Sequence, residues 1–287
     1  MSGTISFLPG LLSGLFPTSS NTGAASLLSV LYGSGSQTTN ALGQNPITAL
    51  QQAEQNETQD VKATAAQPAV QRDVQAFVKA VQTATTPQQL LDNPSAMKVL
   101  LTANGLADQL PYTALAQKAL LSDVNDPNSL ANTLTDNRWK SVAQTYSFAT
   151  SGLSVIQDPK VISTITNAYA EISWRHSLDA TTPGLSNALT FRANAGTVTS
   201  VDQILGDPVL RSVVTTTLGI PLQIAFQPLE AQEKAITSRL DISQLQDPKF
   251  VETFAQKYLI AAAAAPTTAA TKPGIEALAI QAQSLVV

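Results

Sequence analysis

The chain has no cysteine, one histidine and few charged residues. Without cysteine it cannot form disulfides, thiolate zinc sites or cysteine nucleophiles. A serine–histidine–acid triad or a histidine-rich metal site would depend on His176 alone, and no G-x-S-x-G motif surrounds its neighbour Ser177. We therefore predict no catalytic residues and no metal site, and we interpret His176 as a helix-end or surface residue.

The scarcity of charge limits the classes of partner. Charged residues make up 13% of the chain, and 20 acidic residues against 16 basic ones give a net charge of -4. Nucleic-acid binding requires clustered Lys and Arg that displace phosphate counterions. We therefore expect no nucleic-acid partner.

Long apolar runs and an N-terminal basic segment are also missing. No stretch of about 18 apolar residues occurs, so no transmembrane helix is expected. The first basic residue is Lys62, so a secretory signal peptide with a positive start is not expected either. Two locations remain open, the cytoplasm and export by a non-classical route.

The sequence offers no convincing cofactor or acid–base motif. Gly33-Ser34-Gly35 begins like a nucleotide fingerprint, but Thr38 stands where a glycine is needed, and no P-loop pattern occurs. Glu230 and Glu233 share a helix face and could imitate a catalytic pair. Because Lys234 lies on the same segment, an ordinary solvated face explains them better. We expect no cofactor.

Helical patterns dominate from Asn45 onward. Apolar residues recur at helical spacing, and the stripe of Val70, Val74, Phe77, Val78 and Val81 is the clearest example. An Asn or Asp followed by Pro, a good helix cap and first turn, recurs before apolar runs. The predicted helix starts are Asn45-Pro46, Asn93-Pro94, Asp126-Pro127, Asp158-Pro159, Asp207-Pro208 and Asp247-Pro248. Gly105 and Gly219 are predicted helix stops.

These helices fall into two similar parts. Residues 77–106 align without a gap with 191–220 at an offset of 114, with nine identities in thirty positions. Residues 134–146 then echo 245–258, and Gln157-Asp158-Pro159-Lys160 leading to Tyr169 is a looser third echo. The sequence predicts an all-α fold, a compact multi-helix body of two related helical halves, with internal repeats at 77–146 and 191–258.

We expect halves at about 70–150 and 185–262, joined by the helix from Pro159 to His176. They form a helical domain at 45–262. Residues 1–44 are Gly-, Ser- and Thr-rich and are predicted to be disordered or ordered only on a partner. Residues 263–287 are predicted to be a linker, read from Ala261 to Pro273, and a short amphipathic helix.

Apolar residues in these two end segments are candidates for docking on partners. The alternative is flexible ends with scattered apolar residues. The candidate interface residues are Phe7, Leu11, Leu15, Phe16, Leu28, Leu31, Tyr32, Ile275, Leu278 and Leu285. Trp139 and Trp174 sit at helical spacing beside aliphatic residues, which favours a role as core anchors over one in an interface.

Several segments resemble a known bacterial family. They are Asn104-Gly105-Leu106, 119–123, 129–132, and the set of Leu134, Asp136, Arg138 and Trp139, together with Asp207, Arg211, 219–221 and 225–227. The region that contains these segments, between about 45 and 262, is similar to the domain of unknown function 1217 family, whose members are often encoded among flagellar genes. The family has no established catalytic residues, so the resemblance implies a flagellar setting rather than a mechanism.

We therefore expect a non-enzymatic structural or assembly factor associated with the bacterial flagellum. It would act through other flagellar or export proteins or through self-association. The alternatives are a cytoplasmic export chaperone and a cell-wall hydrolase of the flagellar locus. A hydrolase would use a carboxyl of raised pKa, with Glu171, Glu230 and Glu233 as candidates. Fractionation of cells and medium distinguishes a chaperone from an exported subunit.

Overall fold

The computed structural model describes residues 45–264, which belong to one compact unit. Helices make up this range, and no strand occurs within it, so the all-α prediction is confirmed. The α-helices are α1 (Pro46–Ala65), α2 (Pro68–Thr83), α3 (Pro87–Leu91), α4 (Pro94–Ala103), α5 (Thr113–Leu120), α6 (Leu130–Thr133), α7 (Arg138–Tyr146), α8 (Phe148–Ser151), α9 (Pro159–Leu178), α10 (Leu185–Asn194), α11 (Val201–Gly206), α12 (Pro208–Thr217), α13 (Leu229–Thr237) and α14 (Pro248–Ala264). Short 3-10 helices occupy Ala107–Gln109, Ala195–Thr197, Leu222–Phe226 and Ile242–Gln246. None of the helices between 45 and 264 combines the length and hydropathy that crossing a membrane requires.

Most of the predicted helix starts are confirmed. Asp207, for example, precedes α12, and its carboxyl oxygen accepts hydrogen bonds from the backbone N–H groups of Val209 at 2.8 Å and Leu210 at 3.0 Å. These bonds satisfy donors that have no partner in the first turn of a helix. Equivalent caps stand before α1, α4, α9 and α14.

The predicted helix start at Asp126-Pro127 is wrong. The Asp126 carboxyl accepts a hydrogen bond from Asn128 N–H, and its carbonyl accepts one from Ser129 N–H, which closes a turn. The next helix, α6, begins only at Leu130. Aspartate followed by proline suits a turn as well as a helix cap, so the dipeptide did not separate the two outcomes.

The body consists of two related halves, each with its own hydrophobic core. In the first half α4 packs against α2 and α9, and in the second α14 packs against α10 and α12. One core cluster is formed by residues between Val70 and Ala170, and the other mainly by residues between Trp174 and Leu259. Aliphatic side chains supply most of both cores, as the low aromatic content indicates.

Local structure repeats at the offset of 114 residues. The side-chain oxygen of Gln89 accepts hydrogen bonds from the N–H and hydroxyl of Thr85, at 2.9 and 3.0 Å. The oxygen of Gln203 accepts the same pair from Thr199, at 2.7 and 3.3 Å. Because these bonds fix the entry into α3 and α11, both halves turn the chain in the same way before α4 and α12.

Helices α4 and α12, which occupy equivalent positions in the two halves, also end alike. After α4, Gly105 has φ +71°, and Leu106 N–H bonds back to the Leu101 carbonyl at 2.8 Å. After α12, Gly219 has φ +62°, and Ile220 N–H bonds back to the Thr215 carbonyl, also at 2.8 Å. A left-handed residue with this bond is the Schellman stop, which favours glycine. Both predicted stops are confirmed.

Helices α9 and α14, the last helices of the two halves, do not pair with other helices as the sequence similarities suggest. Gln157 and Gln246 each precede Asp-Pro-Lys, at the starts of α9 and α14. The Gln246 amide donates to the Val198 carbonyl at 2.8 Å. The Gln157 amide donates to the Val81 carbonyl at 3.0 Å and also reaches Ala84, the equivalent of Val198, at 3.4 Å. The structural counterpart of α14 is therefore α9, not α7. The echo between 134–146 and 245–258 does not reflect equivalent positions.

Two helices connect the cores. The start of α9 contributes Ile165 and Tyr169 to the first core, and its end contributes Trp174 to the second. Helix α1 places Leu50 in the second core, while its Val61 packs against both. The helix from Pro159, predicted as a connection between the halves, is thus also an integral part of the first.

Ion pairs hold α1 in place. Glu57 lies on the otherwise apolar face of this helix because its carboxylate contacts the buried Arg175, at 3.5 Å, which also pairs with Glu171. One turn earlier, Glu54 pairs with Arg192 of α10. Burial of an arginine favours such partners, since an unpaired buried charge is costly.

The boundary of the predicted linker is also corrected. Ala261–Ala264 continue α14, and Ala262 packs against the second core. Alanine has the highest helix propensity of all residues, so a run of alanines after a packed helix extends it.

Candidate interaction surface

A pocket of about 630 Å³ lies between the halves. Its lining includes Asn104 and Arg138 from the first half, His176 near the end of α9, and Asn187 and Asn194 from α10. His176 is exposed in the last turn of α9, as the helix-end interpretation predicted. Amide and charged side chains thus share the lining with apolar residues such as Ile172 and Val209.

The guanidinium of Arg138 is already occupied by this protein's own groups. It contacts the Asp136 carboxylate at 2.7 Å and the Asp108 carboxylate at 3.1 Å, and it donates to the Gly105 carbonyl. Burial alone would lower the pKa of Arg138, but hydrogen bonds with the two carboxylates raise it above its ordinary value. This arginine anchors α7 to the loop after α4, which is a structural task.

A tyrosine pairs with an Asx side chain at equivalent places in the two halves. In the first, the Tyr169 hydroxyl donates to the Asp73 carboxylate at 2.6 Å, and Lys98 contacts the same carboxylate at 2.7 Å. Burial would raise the pKa of Asp73, but the bonds from Lys98 and Tyr169 outweigh it and hold the pKa below its usual value.

In the second half the corresponding pair is neutral. The Asn187 amide donates to the Tyr258 hydroxyl at 3.2 Å, and Asn187 lies 114 residues after Asp73. The position equivalent to Lys98 is Ser212. The charged cluster fixes α9 on α2, and the neutral cluster fixes α14 on α10. The role that the two clusters share is therefore packing.

The carboxyls that a hydrolase would use lie on two helices, Glu171 on α9 and Glu230 and Glu233 on α13. Glu171 pairs with Arg175 on α9, and Glu230 is exposed on α13. Partial desolvation, followed by the nearby carboxyls of Asp202 and Glu230, raises the pKa of Glu233. Within residues 45–264, no group of three or more His, Asp or Glu could hold a metal ion.

The most conspicuous surface feature is an apolar segment at the start of α13. Leu222 is 80% exposed, Phe226 88% and Leu229 52%, and Pro221 and Pro228 flank the first two. We call Leu222, Phe226 and Leu229 the apolar patch. Isolated exposed apolar residues are common, but three within eight residues, one of them an almost fully exposed phenylalanine, are typical of an interaction site.

Sequence reasoning did not identify this patch as an interface. Its signal was a short apolar stretch between Pro221 and Pro228, in which Leu222, Ile224 and Phe226 recur at the two-residue spacing of a strand rather than at helical spacing. The residues named instead were Phe7, Leu11, Leu15, Phe16, Leu28, Leu31, Tyr32, Ile275, Leu278 and Leu285, all of which lie outside the described residues. Trp139 and Trp174 are buried, so their role as core anchors is confirmed.

These features define a duplicated all-helical protein with a pocket between its halves and an apolar patch on the second half. The family model described as "Protein of unknown function (DUF1217)" matches residues 103–251, more than half of the chain. The chain belongs to this family, as its resemblance predicted.

A solved structure supports the fold. The crystal structure of a protein from Agrobacterium tumefaciens, determined as a structural genomics target, matches with a TM-score of 0.65 and 23% sequence identity. The match covers 77% of this chain and 95% of that one. At this identity the likeness shows the fold alone. A comparison with curated proteins gives no match.

Proposed function

We propose that this chain is a non-enzymatic structural or assembly factor of the bacterial flagellum that acts by binding other proteins. The apolar patch carries this proposal, because it exposes an aromatic and two aliphatic side chains that make few contacts within the described residues. Fully burying such a side chain contributes about 1.5–3 kcal/mol, so covering three of them supports a specific contact. The flagellar setting comes from the family resemblance.

The low charge of the chain suits this role. Only 13% of the residues of the chain are charged, and neutral polar groups are desolvated at lower cost than charges. Aromatic residues are enriched at protein interfaces, and acidic and lysine side chains are depleted there.

The test is a matched pair of variants in the bacterium that encodes the chain. Phe226→Asp should abolish co-purification of partner proteins and reduce swimming, because a carboxylate at the patch centre would be desolvated on binding. Tyr112→Asp is the control, since Tyr112 is 59% exposed at the position 114 residues earlier. It should leave both readouts unchanged.

Circular dichroism of the purified variants checks that both fold, which is expected because neither side chain is buried. If Phe226→Asp folds, retains the same co-purifying proteins and swims like the wild type, the patch does not serve assembly and the proposal fails.

A further inference from the structure

Helix α1 buries few side chains for its length. Of its 20 residues, the buried ones are Ala49, Leu50, Ala53 and Thr64. Helix α9 has the same length, and its buried residues are Ile165, Tyr169, Ala170, Trp174 and Arg175. The hydrophobic contribution of a helix grows with the apolar area that it removes from water. Apolar packing therefore holds α1 to the body less strongly than it holds α9.

Two carboxylates of α1 add to this attachment. Glu54 pairs with Arg192 of α10, and the two side chains are each 28% exposed. Three residues later, Glu57 contacts Arg175 of α9 at 3.5 Å, and the side chain of this arginine is 10% exposed. Largely buried arginines require such partners, because an unpaired buried charge is costly. The surface under α1 therefore suits a helix that carries two carboxylates about one turn apart.

The helices that contact α1 lie far from it along the chain. It packs mainly on α9, α14 and α10. Its connection to α2 consists of Ala66 and Gln67, and residues 65–69 around this hinge are all exposed and uncharged. A short hinge favours exchange of a helix between two copies of a chain, because the helix keeps its contacts when it lies on the second copy. The exposed, uncharged hinge allows two copies to approach each other there.

We propose that this chain self-associates by exchange of α1, so that α1 of one copy lies on α9, α10 and α14 of a second copy. In this exchanged dimer, the carboxylates of Glu54 and Glu57 pair with the two arginines of the other copy. A second copy fits this role because it carries the same arginines at the same spacing. The apolar patch takes no part in the exchange, so the inference does not depend on the proposed function.

Two charge-reversal variants of the full chain test the exchange. Glu54→Arg brings two arginines together in a closed monomer, and Arg192→Glu brings two glutamates together. In an exchanged dimer that contains one copy of each variant, position 54 of each copy meets a position 192 of opposite charge. The purified variants are mixed and incubated at a urea concentration below the unfolding transition, which allows α1 to open. Native mass spectrometry then counts the mixed dimers.

We expect about tenfold more mixed dimer in the mixture than dimer in either variant alone, because exchange replaces two repulsive contacts by two attractive ones. A mixture of Glu54→Arg with the wild type is the first control. One of the two contacts in its mixed dimer joins two arginines, so no such increase should occur. The second control carries both substitutions in one chain. It restores the pair within a monomer and should fold and associate like the wild type.

A mixture of the two variants that contains no more dimer than its separate components overturns the inference. Equal amounts of mixed dimer with the wild type and with Arg192→Glu do the same, because association would then not depend on the contact between positions 54 and 192. The wild type gives a measurement that needs no substitution. After the same urea treatment its mass should rise from monomer to dimer with concentration, and a mass that stays monomeric throughout also overturns the inference.

Discussion

At the scale of single residues, equivalent positions of the two halves keep a structural role while changing chemistry. Asp73 and Asn187 both form a hydrogen bond with a tyrosine hydroxyl, on α9 and α14 respectively. Only Asp73 carries a charge and has a lysine partner. An amide can replace a carboxylate here because both side chains are short and can bond a phenol. At acidic pH this contact therefore titrates in the first half, whereas the amide contact of the second half does not.

Asp73→Asn tests this difference. Because the folded pKa of Asp73 lies below its ordinary 3.8, the ionised carboxylate stabilises the fold at neutral pH, and this contribution is lost as pH falls through the folded value. The wild type should exceed the variant in unfolding free energy near neutrality, and the difference should shrink at acidic pH. Urea unfolding from about pH 6 to about pH 2.5 measures it.

The control for this experiment is Lys98→Gln, which removes the cation that faces Asp73 at 2.7 Å. It should reproduce part of the stability loss near neutrality. A gap between wild type and Asp73→Asn that stays constant over the whole pH range would contradict the role of the ionised carboxylate.

At the scale of elements, a glutamine side chain just before α9 and another just before α14 bond to the loops that precede α3 and α11. The Gln246 amide bonds the carbonyl of the buried Val198, 48 residues earlier in the chain. Such a bond sets the start of α14 relative to α10 and α11, which helix caps alone cannot do because their bonds are local.

Gln246→Ala should lower the free energy of unfolding by about 1–3 kcal/mol, because the Val198 carbonyl would lose its partner in a buried setting. Gln232→Ala is the matched control, since its amide bonds the Gln227 carbonyl at 2.8 Å on the exposed surface. It should cost less than about 0.5 kcal/mol. Equal effects in urea denaturation would show that the long-range bond has no special importance.

At the scale of the whole molecule, two cores are tied together by α9 and α1. Helix α9 belongs to both, and Val61 of α1 packs against both. Elements shared between cores transmit the loss of one to the other, so the two halves should unfold as one cooperative unit.

The two tryptophans report on this coupling, because Trp139 lies in the first core and Trp174 in the second. In the single-tryptophan variants Trp174→Phe and Trp139→Phe, the urea transition followed by fluorescence should coincide with that followed by circular dichroism. The comparison is made within each variant, which removes the effect of the substitution on stability. Separate midpoints would mean that the halves unfold independently.

Much of this architecture was predictable because its signals are local. Helix caps at Asn93 and Asp207, stops at Gly105 and Gly219, and the apolar stripe of α2 depend on neighbours within one or two turns. Asp126-Pro127 failed because the same local chemistry closes a turn. The candidate surface was missed because exposure of Phe226 depends on which helices pack nearby.

The sequence by itself determined the all-helical class, the start and end of most helices, and the alignment of 77–106 with 191–220, since these follow from backbone capping and side-chain spacing. Only the tertiary structure decided that α9 rather than α7 is the counterpart of α14, that Glu57 meets Arg175, and that the second half leaves its apolar patch uncovered. Those outcomes depend on contacts between residues far apart in the chain, for which a single sequence carries no distance information.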